Sequence, residues 1–314
     1  GKASVENIFS TRGYYEASEV GEAEALSFNV LTADKTVVPI HGQRIEDTLR
    51  LGLSAPFWFC PELLNLDFDS VGSVVRSIIE NSVENGIREI WVKTPPSYYA
   101  TAVDDFEYHL SREKFDVVNT ALCQAIRCDA FQSSLVYESS LKSASKRLLR
   151  RFSEMHSFQL RDCSLDCERE VADVYKLINN NRSKKAMTLK YSFDYLKELT
   201  TRYRERLRLF KFFVDDNYVA AAICHLVGED KMYVAAWGDF GHALNKSPMY
   251  KFCSSLVEYC VDRDIGLLDF GVSSDRSTYT PALIKFKENI GCCSSLQRTY
   301  KYASHRISCE VRAQ

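Results

Sequence analysis

"VGSVVRSIIENSVENGIREIWV", residues 71–92, sets a helix against a short strand. Val74, Val75, Ile78, Ile79, Ser82 and Val83 fall at helical spacing, Gly86 stops the helix, and IREIWV reads as an apolar strand. Moved along the chain by 178 residues, the same places are taken by Phe252, Cys253, Leu256, Val257, Cys260 and Val261. Glu80 then meets Glu258, Ile87 meets Ile265, and the second strand is GLLDF. Generic amphipathicity would explain one such match. The continuation argues for more. IWV leads into the Pro-containing turn KTPPSYY, a helix from Ala102 to Leu110 and the strand-like FDVVNTALCQAIRC. LDF leads into GVSSDRSTY, the helix PALIKFKENIG and the strand-like SSLQRTYKY. Helix, strand, turn, helix, strand thus occurs in both halves, and a duplicated α/β unit is the economical account.

The rest of the C-terminal half completes one unit. A strand near His156 to Leu160 precedes the helix CEREVADVYKLINNNRSKK and a second helix, SFDYLKELTTRYRERL, with Ser192 at its N-cap. LRLFKFFV, NYVAAAICHLV and KMYVAAWG then read as three antiparallel strands, joined by turns at Asp215-Asp216-Asn217 and Gly228-Glu229-Asp230. The N-terminal half shows a hairpin in LSFNVLTADKTVVPIHG and an apolar stretch, APFWFCP. The basic segment SSLKSASKRLLRRFSE joins the halves. The expected organisation is residues 1–140, a connecting helix over 141–153, and residues 154–314.

Bulk properties narrow the function classes. At 314 residues with 46% hydrophobic and 26% charged content, the composition is that of an ordinary globular protein of one large or two typical domains. A formal net charge of −2 gives no global field to recruit DNA or an acidic membrane, so any anion site must be local. The eleven cysteines are scattered, with no CxxC pair and no histidines at ligand spacing beside them. No metal site is expected, and free, mostly buried thiols point to a reducing compartment. No apolar stretch approaches the ~18–20 residues of a membrane span. GKASVENIFSTRGYY lacks a signal-peptide core, so a cytoplasmic location is the default expectation.

The order of three antiparallel strands followed by helix, strand, helix, strand resembles the GNAT acyltransferase fold. KSASKRLLRRF (142–152), KMYVAAWGDFGHALNKSPMYKF (231–252), LLDFG (267–271), IKFKENIG (284–291) and, earlier, VKTPPSYY make the chain similar to the Fem branch, the peptidoglycan aminoacyl-transferases and their relatives. The resemblance implies two tandem GNAT-like domains of α/β content and α+β type, each a mixed, mostly antiparallel sheet flanked by helices. It further implies acyl or aminoacyl transfer onto an amine or hydroxyl acceptor held between the domains, in cell-wall or surface-glycan metabolism. An acetyl-CoA-dependent N-acetyltransferase and a non-catalytic scaffold on a degenerate fold are the alternatives. Acyl-CoA or aminoacyl-tRNA would be the donor, and a small, nucleotide-linked or lipid-linked molecule the acceptor.

Acyl transfer to an amine needs a base, donors for the carbonyl oxyanion, and a proton for the leaving group. In GNAT folds two central strands splay, the donor enters the gap, and the loop into the next helix holds its pyrophosphate. Here that loop is WGDFGHALNKSP, 237–248, which offers Trp237, Gly238, Gly241, Lys246 and Ser247 but not the RxxGxG/A run of coenzyme A-binding acetyltransferases. A plain strand-to-helix connection is the other reading. His242 is a weaker candidate in the same loop, and Tyr233 with Trp237 would line an acyl pocket or simply pack.

On the helix from Pro281, with Thr280 at its N-cap, Lys287 falls beside the stripe of Leu283, Phe286 and Ile290, whereas Lys285 falls on the wet face. A partly buried ammonium needs a partner. The resemblance gives Lys287 the role of stabilising the transition-state carbonyl; snorkelling, or pairing with Asp269 or Asp275, is the structural alternative. Asp269 would orient the substrate amine or cap the turn beyond Gly271, and Tyr279 would protonate the leaving group or pack. His225 reads as a core histidine. Two basic clusters would bind substrate phosphate or tRNA, or are solvated helix faces. One holds Arg182, Lys184, Lys185 and Lys190; the other, with Lys142, Lys146 and Arg151, holds Arg147 and Arg150. Only their convergence in space would favour a joint phosphate site.

Overall fold

A computed structural model of the chain describes residues 7–17, 23–53, 55–189, 192–240, 248–275 and 277–303. The elements begin with α1 (Arg12–Ala17), β1 (Glu24–Leu31), β2 (Val37–Ile45), β3 (Thr48–Leu51), α2 (Pro61–Leu64), α3 (Phe68–Glu84) and β4 (Glu89–Lys93). Next come α4 (Ala102–Arg112), β5 (Asp116–Arg127), α5 (Ser134–Ser140), α6 (Ser143–Met155), β6 (Phe158–Asp162), α7 (Glu168–Lys184) and α8 (Phe193–Arg202). The chain continues with β7 (Leu207–Val214), β8 (Asn217–Val227), β9 (Lys231–Asp239), α9 (Met249–Val261), β10 (Leu267–Ser274), α10 (Pro281–Asn289) and β11 (Cys293–Ala303). The helix-strand unit expected at 71–92 is α3 and β4, and its counterpart is α9 and β10. Among the described residues three 3-10 turns accompany these elements.

Two compact units result. The first comprises residues 1–123, 274–279 and 295–314; the second comprises 124–273 and 280–294. In the first, the strand order is β1-β2-β3-β4-β11. β11 enters it through an antiparallel ladder from Thr299↔Lys93 to Ala303↔Glu89, so a strand from late in the sequence extends the sheet begun by the N-terminal hairpin. α3 and α4 pack together, and Val71, Val74, Val75 and Ile78 are buried because the 3.6-residue period gathers them on one side. Asp67 caps α3 by accepting the Ser70 N–H at 2.7 Å.

In the second unit the order is β10-β9-β8-β7-β6. Only the β9/β10 pair is parallel; β6, β7, β8 and β9 form antiparallel neighbours. Asp215 and Asp216 have φ of 47° and 62°, the left-handed pair that a two-residue turn between right-twisted strands requires. The sheet is covered on both faces. Leu149, Phe152, Phe252 and Leu256 of α6 and α9 pack on Phe210, Phe212, Met232 and Val234. Val171, Val174 and Ile178 of α7, with Leu196 and Leu199 of α8, pack on Leu207, Leu209 and Ile223. α6, read from the sequence as a connector, lies within this second unit. His225 is 1% exposed, a core histidine as its strand position suggested.

Candidate active site

The parallel ladder between β9 and β10 is short. Leu267↔Lys231, Leu268↔Met232 and Asp269↔Tyr233 are paired. β9 runs on to Asp239 and β10 to Ser274 with no further pairing between them among the described residues. The two strands part after Asp269, and their carboxyl ends border a gap. On its other side β9 stays paired with β8 up to Asp239, with a register shift where Cys224↔Val234 gives way to Ile223↔Ala236.

Gly271 marks the departure. Its φ is +66°, open to glycine and strained for other residues, and a Cβ there would lie 3.2 Å from the Tyr233 ring. The Gly271 N–H donates to Asp269 Oδ1 at 2.7 Å, so the carboxylate caps the bend. Lys287 donates from Nζ to the carbonyls of Phe270 at 2.8 Å, Gly271 at 2.9 Å and Val272 at 3.4 Å. A regular strand points successive carbonyls to opposite sides; the bend at Gly271 lets one ammonium reach three in a row. Lys287 is 1% exposed and Asp269 2%, whereas Lys285 faces solvent and pairs with Glu288. The inward turn of Lys287 thus agrees with the helical projection. Its partners include three backbone carbonyls of β10.

The gap has two differently built faces. On one, the Trp237 ring lies 5.4 Å from that of Phe270 and 5.8 Å from that of Phe286, which in turn meets Tyr250 at 4.9 Å. On the other, the end of α7 clamps the end of β9. Asn181 Nδ2 donates to the backbone oxygen of Asp239 at 2.7 Å and to its Oδ1 at 3.0 Å, and Lys184 Nζ donates to the Phe240 carbonyl at 3.1 Å. Gly238 permits this approach, since a Cβ on it would sit 2.9 Å from Asn181. Arg182 is half-buried on the same helix and makes no ion pair among the described residues. Burial pulls its guanidinium below the usual range, and the nearby Tyr233 hydroxyl opposes that.

The remaining candidates are placed as follows. Tyr279 is 79% exposed. Lys185 is exposed at the C-cap of α7. Arg147 and Arg150 are exposed on α6, where Arg150 pairs with Glu154 at 3.5 Å. Gly241, His242, Lys246, Ser247 and Lys190 lie outside the described residues. Since α6 and α7 cover opposite faces of the sheet, the two basic clusters do not converge. Asn181 was not singled out from sequence, where it is one of three consecutive asparagines with nothing to mark it. Among the described residues no group of three or more His, Cys, Asp or Glu gathers to hold a metal ion. No described helix is long and apolar enough to cross a membrane.

No known family pattern and no curated protein matches the sequence. Solved structures do match the fold. FemX superimposes with a TM-score of 0.71 at 10% identity, covering 100% of this chain and 96% of its own. The C-terminal domain of a candidate lysylphosphatidylglycerol synthetase from Agrobacterium fabrum gives 0.59 at 8% identity, with 98% and 91% covered. A tandem GNAT protein from the clavulanic acid biosynthesis pathway gives 0.50 at 9% identity, with 90% and 83% covered. The fold is therefore that of the tandem GNAT proteins, mixed, mostly antiparallel strands flanked by helices, and FemX is among its structural relatives.

Proposed function

We propose that the chain is an acyl- or aminoacyl-transferase whose acyl donor lies in the gap between β9 and β10. The parting of the parallel ladder after Asp269↔Tyr233, in the second unit of a tandem GNAT fold, carries this reading. Backbone N–H groups of β9 beyond Tyr233 would hold the donor carbonyl and the oxyanion formed when an amine or hydroxyl attacks it. Trp237 and Phe270 would form the apolar wall beside the acyl chain. The loop beginning at Gly238 would carry the donor's phosphates.

Lys287 and Asp269 enter as positioning residues, because Lys287 Nζ and Asp269 Oδ1 both hold the bend at Gly271. They keep the strands apart and set the direction of the β10 backbone. Arg182, half-buried and without a carboxylate partner among the described residues, suits an anionic group on the acceptor, with Lys184 and Lys185 at the rim. Tyr279 is the candidate proton source for the leaving group, tested by Tyr279→Phe. The ten described cysteines are free thiols, in keeping with a reducing, cytoplasmic setting.

Two donor classes fit, and melting measurements separate them. A ligand present at 100 times its Kd adds about 2.7 kcal/mol to stability. Coenzyme A, or in a separate arm an aminoacyl-tRNA mixture, is expected to raise the melting temperature of the native protein. Gly271→Val is expected to abolish the rise. If neither donor stabilises the wild-type protein, the chain is not an acyltransferase using this gap.

A further inference from the structure

We infer that the outer face of α5 and α6 is a docking surface for an anionic lipid bilayer. Between residues 130 and 153 the sequence holds Lys142, Lys146, Arg147, Arg150 and Arg151 against a single acid, Glu138. The structure turns that acid inward. Glu138 Oε1 accepts from Lys251 Nζ at 2.8 Å and from Ser254 Oγ at 2.5 Å. All five cations are exposed, because Ser145, Leu149 and Phe152 form the buried side of α6 and the intervening positions must face outward. Glu154 screens only Arg150. In a chain of net charge −2, this leaves an outward patch of five positive charges bordered by Glu154 at the end of α6 and by Glu258, which meets Ser134 at the start of α5. A basic helix face of this density is attracted to anionic headgroups.

Aliphatic neighbours decide between a membrane and RNA. Lys146 Nζ donates to the Ser139 carbonyl at 3.1 Å, which ties the cationic face to the end of α5. One turn back on α5 stand Leu135, 76% exposed, and Val136, 43% exposed. Unpaired bases would need aromatic platforms, and α5 and α6 expose none: Tyr137 and Phe152 are buried. Two solvated aliphatic side chains beside a cationic stripe instead suit insertion at the headgroup boundary.

The test uses the full chain and vesicle sedimentation. Vesicles of phosphatidylcholine with about 30% phosphatidylserine or phosphatidylglycerol are compared with phosphatidylcholine alone. Binding is expected to the anionic vesicles only and to weaken as salt rises. Each cation near the surface is worth about fivefold in affinity. Lys146→Ser/Arg147→Ser/Arg151→Ser should therefore reduce vesicle binding by more than about fiftyfold with an unchanged melting temperature. Leu135→Ser should also weaken vesicle binding, an effect that electrostatics alone would not produce. The inference is overturned if anionic vesicles do not retain the protein, or if the triple variant binds them as the wild type does. It is equally overturned if RNA is bound at physiological salt and vesicles are not. None of these outcomes bears on the β9/β10 gap, so acyl transfer stands or falls separately.

Discussion

Replacing Lys287 by methionine keeps the length and most of the apolar volume of the side chain and removes only the ammonium. The carbonyls of Phe270 and Gly271, both buried, then lose a charged donor at 2.8 and 2.9 Å. A buried acceptor left unsatisfied costs ~1–3 kcal/mol, so two of them give about 4 kcal/mol. Relief from burying a charge offsets part of this, and loss of the longer contact to Val272 adds to it. For a body of this size 1 kcal/mol moves the melting temperature by ~2–4 °C, which predicts a fall of about 10 °C. Lys285→Met, two residues away on the same helix, supplies the control. Its ammonium is solvated, so a change within about 0.5 kcal/mol is expected. Calorimetry or thermal melting followed by circular dichroism reads both. A Lys287→Met protein that melts within about 2 °C of wild type would refute the positioning role. Such a protein lacking transfer activity would instead make Lys287 a direct participant.

Gly271→Ala should destabilise by about 1–2 kcal/mol from its left-handed φ alone, and further because Tyr233 must yield, as urea denaturation would show. His225 predicts a loss of stability on acidification. Burial lowers its pKa to about 4 from an unfolded value near 6.5, so the unfolded chain binds the extra proton first. The contribution is complete above pH 6.5 and falls away towards pH 4, by about 3 kcal/mol at most, and His225→Gln should flatten that part of the profile. Asp215 acts at lower pH. Hydrogen bonds from His156 and Ser157 hold its carboxyl below the ordinary range, so its contribution is present above pH ~4 and is lost as pH falls through the folded value. Asp215→Asn should remove that acid-side loss in melting curves recorded from pH 5 to pH 2.

The two helix-strand units were legible because each rests on one periodicity, which Gly86 ends in the first. Val74 to Val83 ahead of Gly86, and Phe252 to Val261 ahead of Ile265, need no knowledge of what they pack against. Lys287 was legible for the same reason, since a helical projection tells inside from outside. Its partners were not, because the carbonyls of Phe270 and Gly271 become available only when Gly271 takes a positive φ. Nothing in LLDFG distinguishes that conformation from an ordinary strand end. Asn181 against Gly238 is likewise a meeting of two elements 57 positions apart, with no local mark on either. The joining of β11 to β4 is a contact at still longer range. The basic clusters show the converse: composition located both, and only the sheet between α6 and α7 reveals that they face away from each other.

Hydrogen exchange of the native protein, with coenzyme A and in parallel with an aminoacyl-tRNA mixture, addresses acyl transfer most directly. Slowed exchange is predicted for amides of residues 234–239 on β9 and of the bend at 270–272, with one of the two donors. Protection confined to other elements, or none with either donor, would contradict a donor site between these strands.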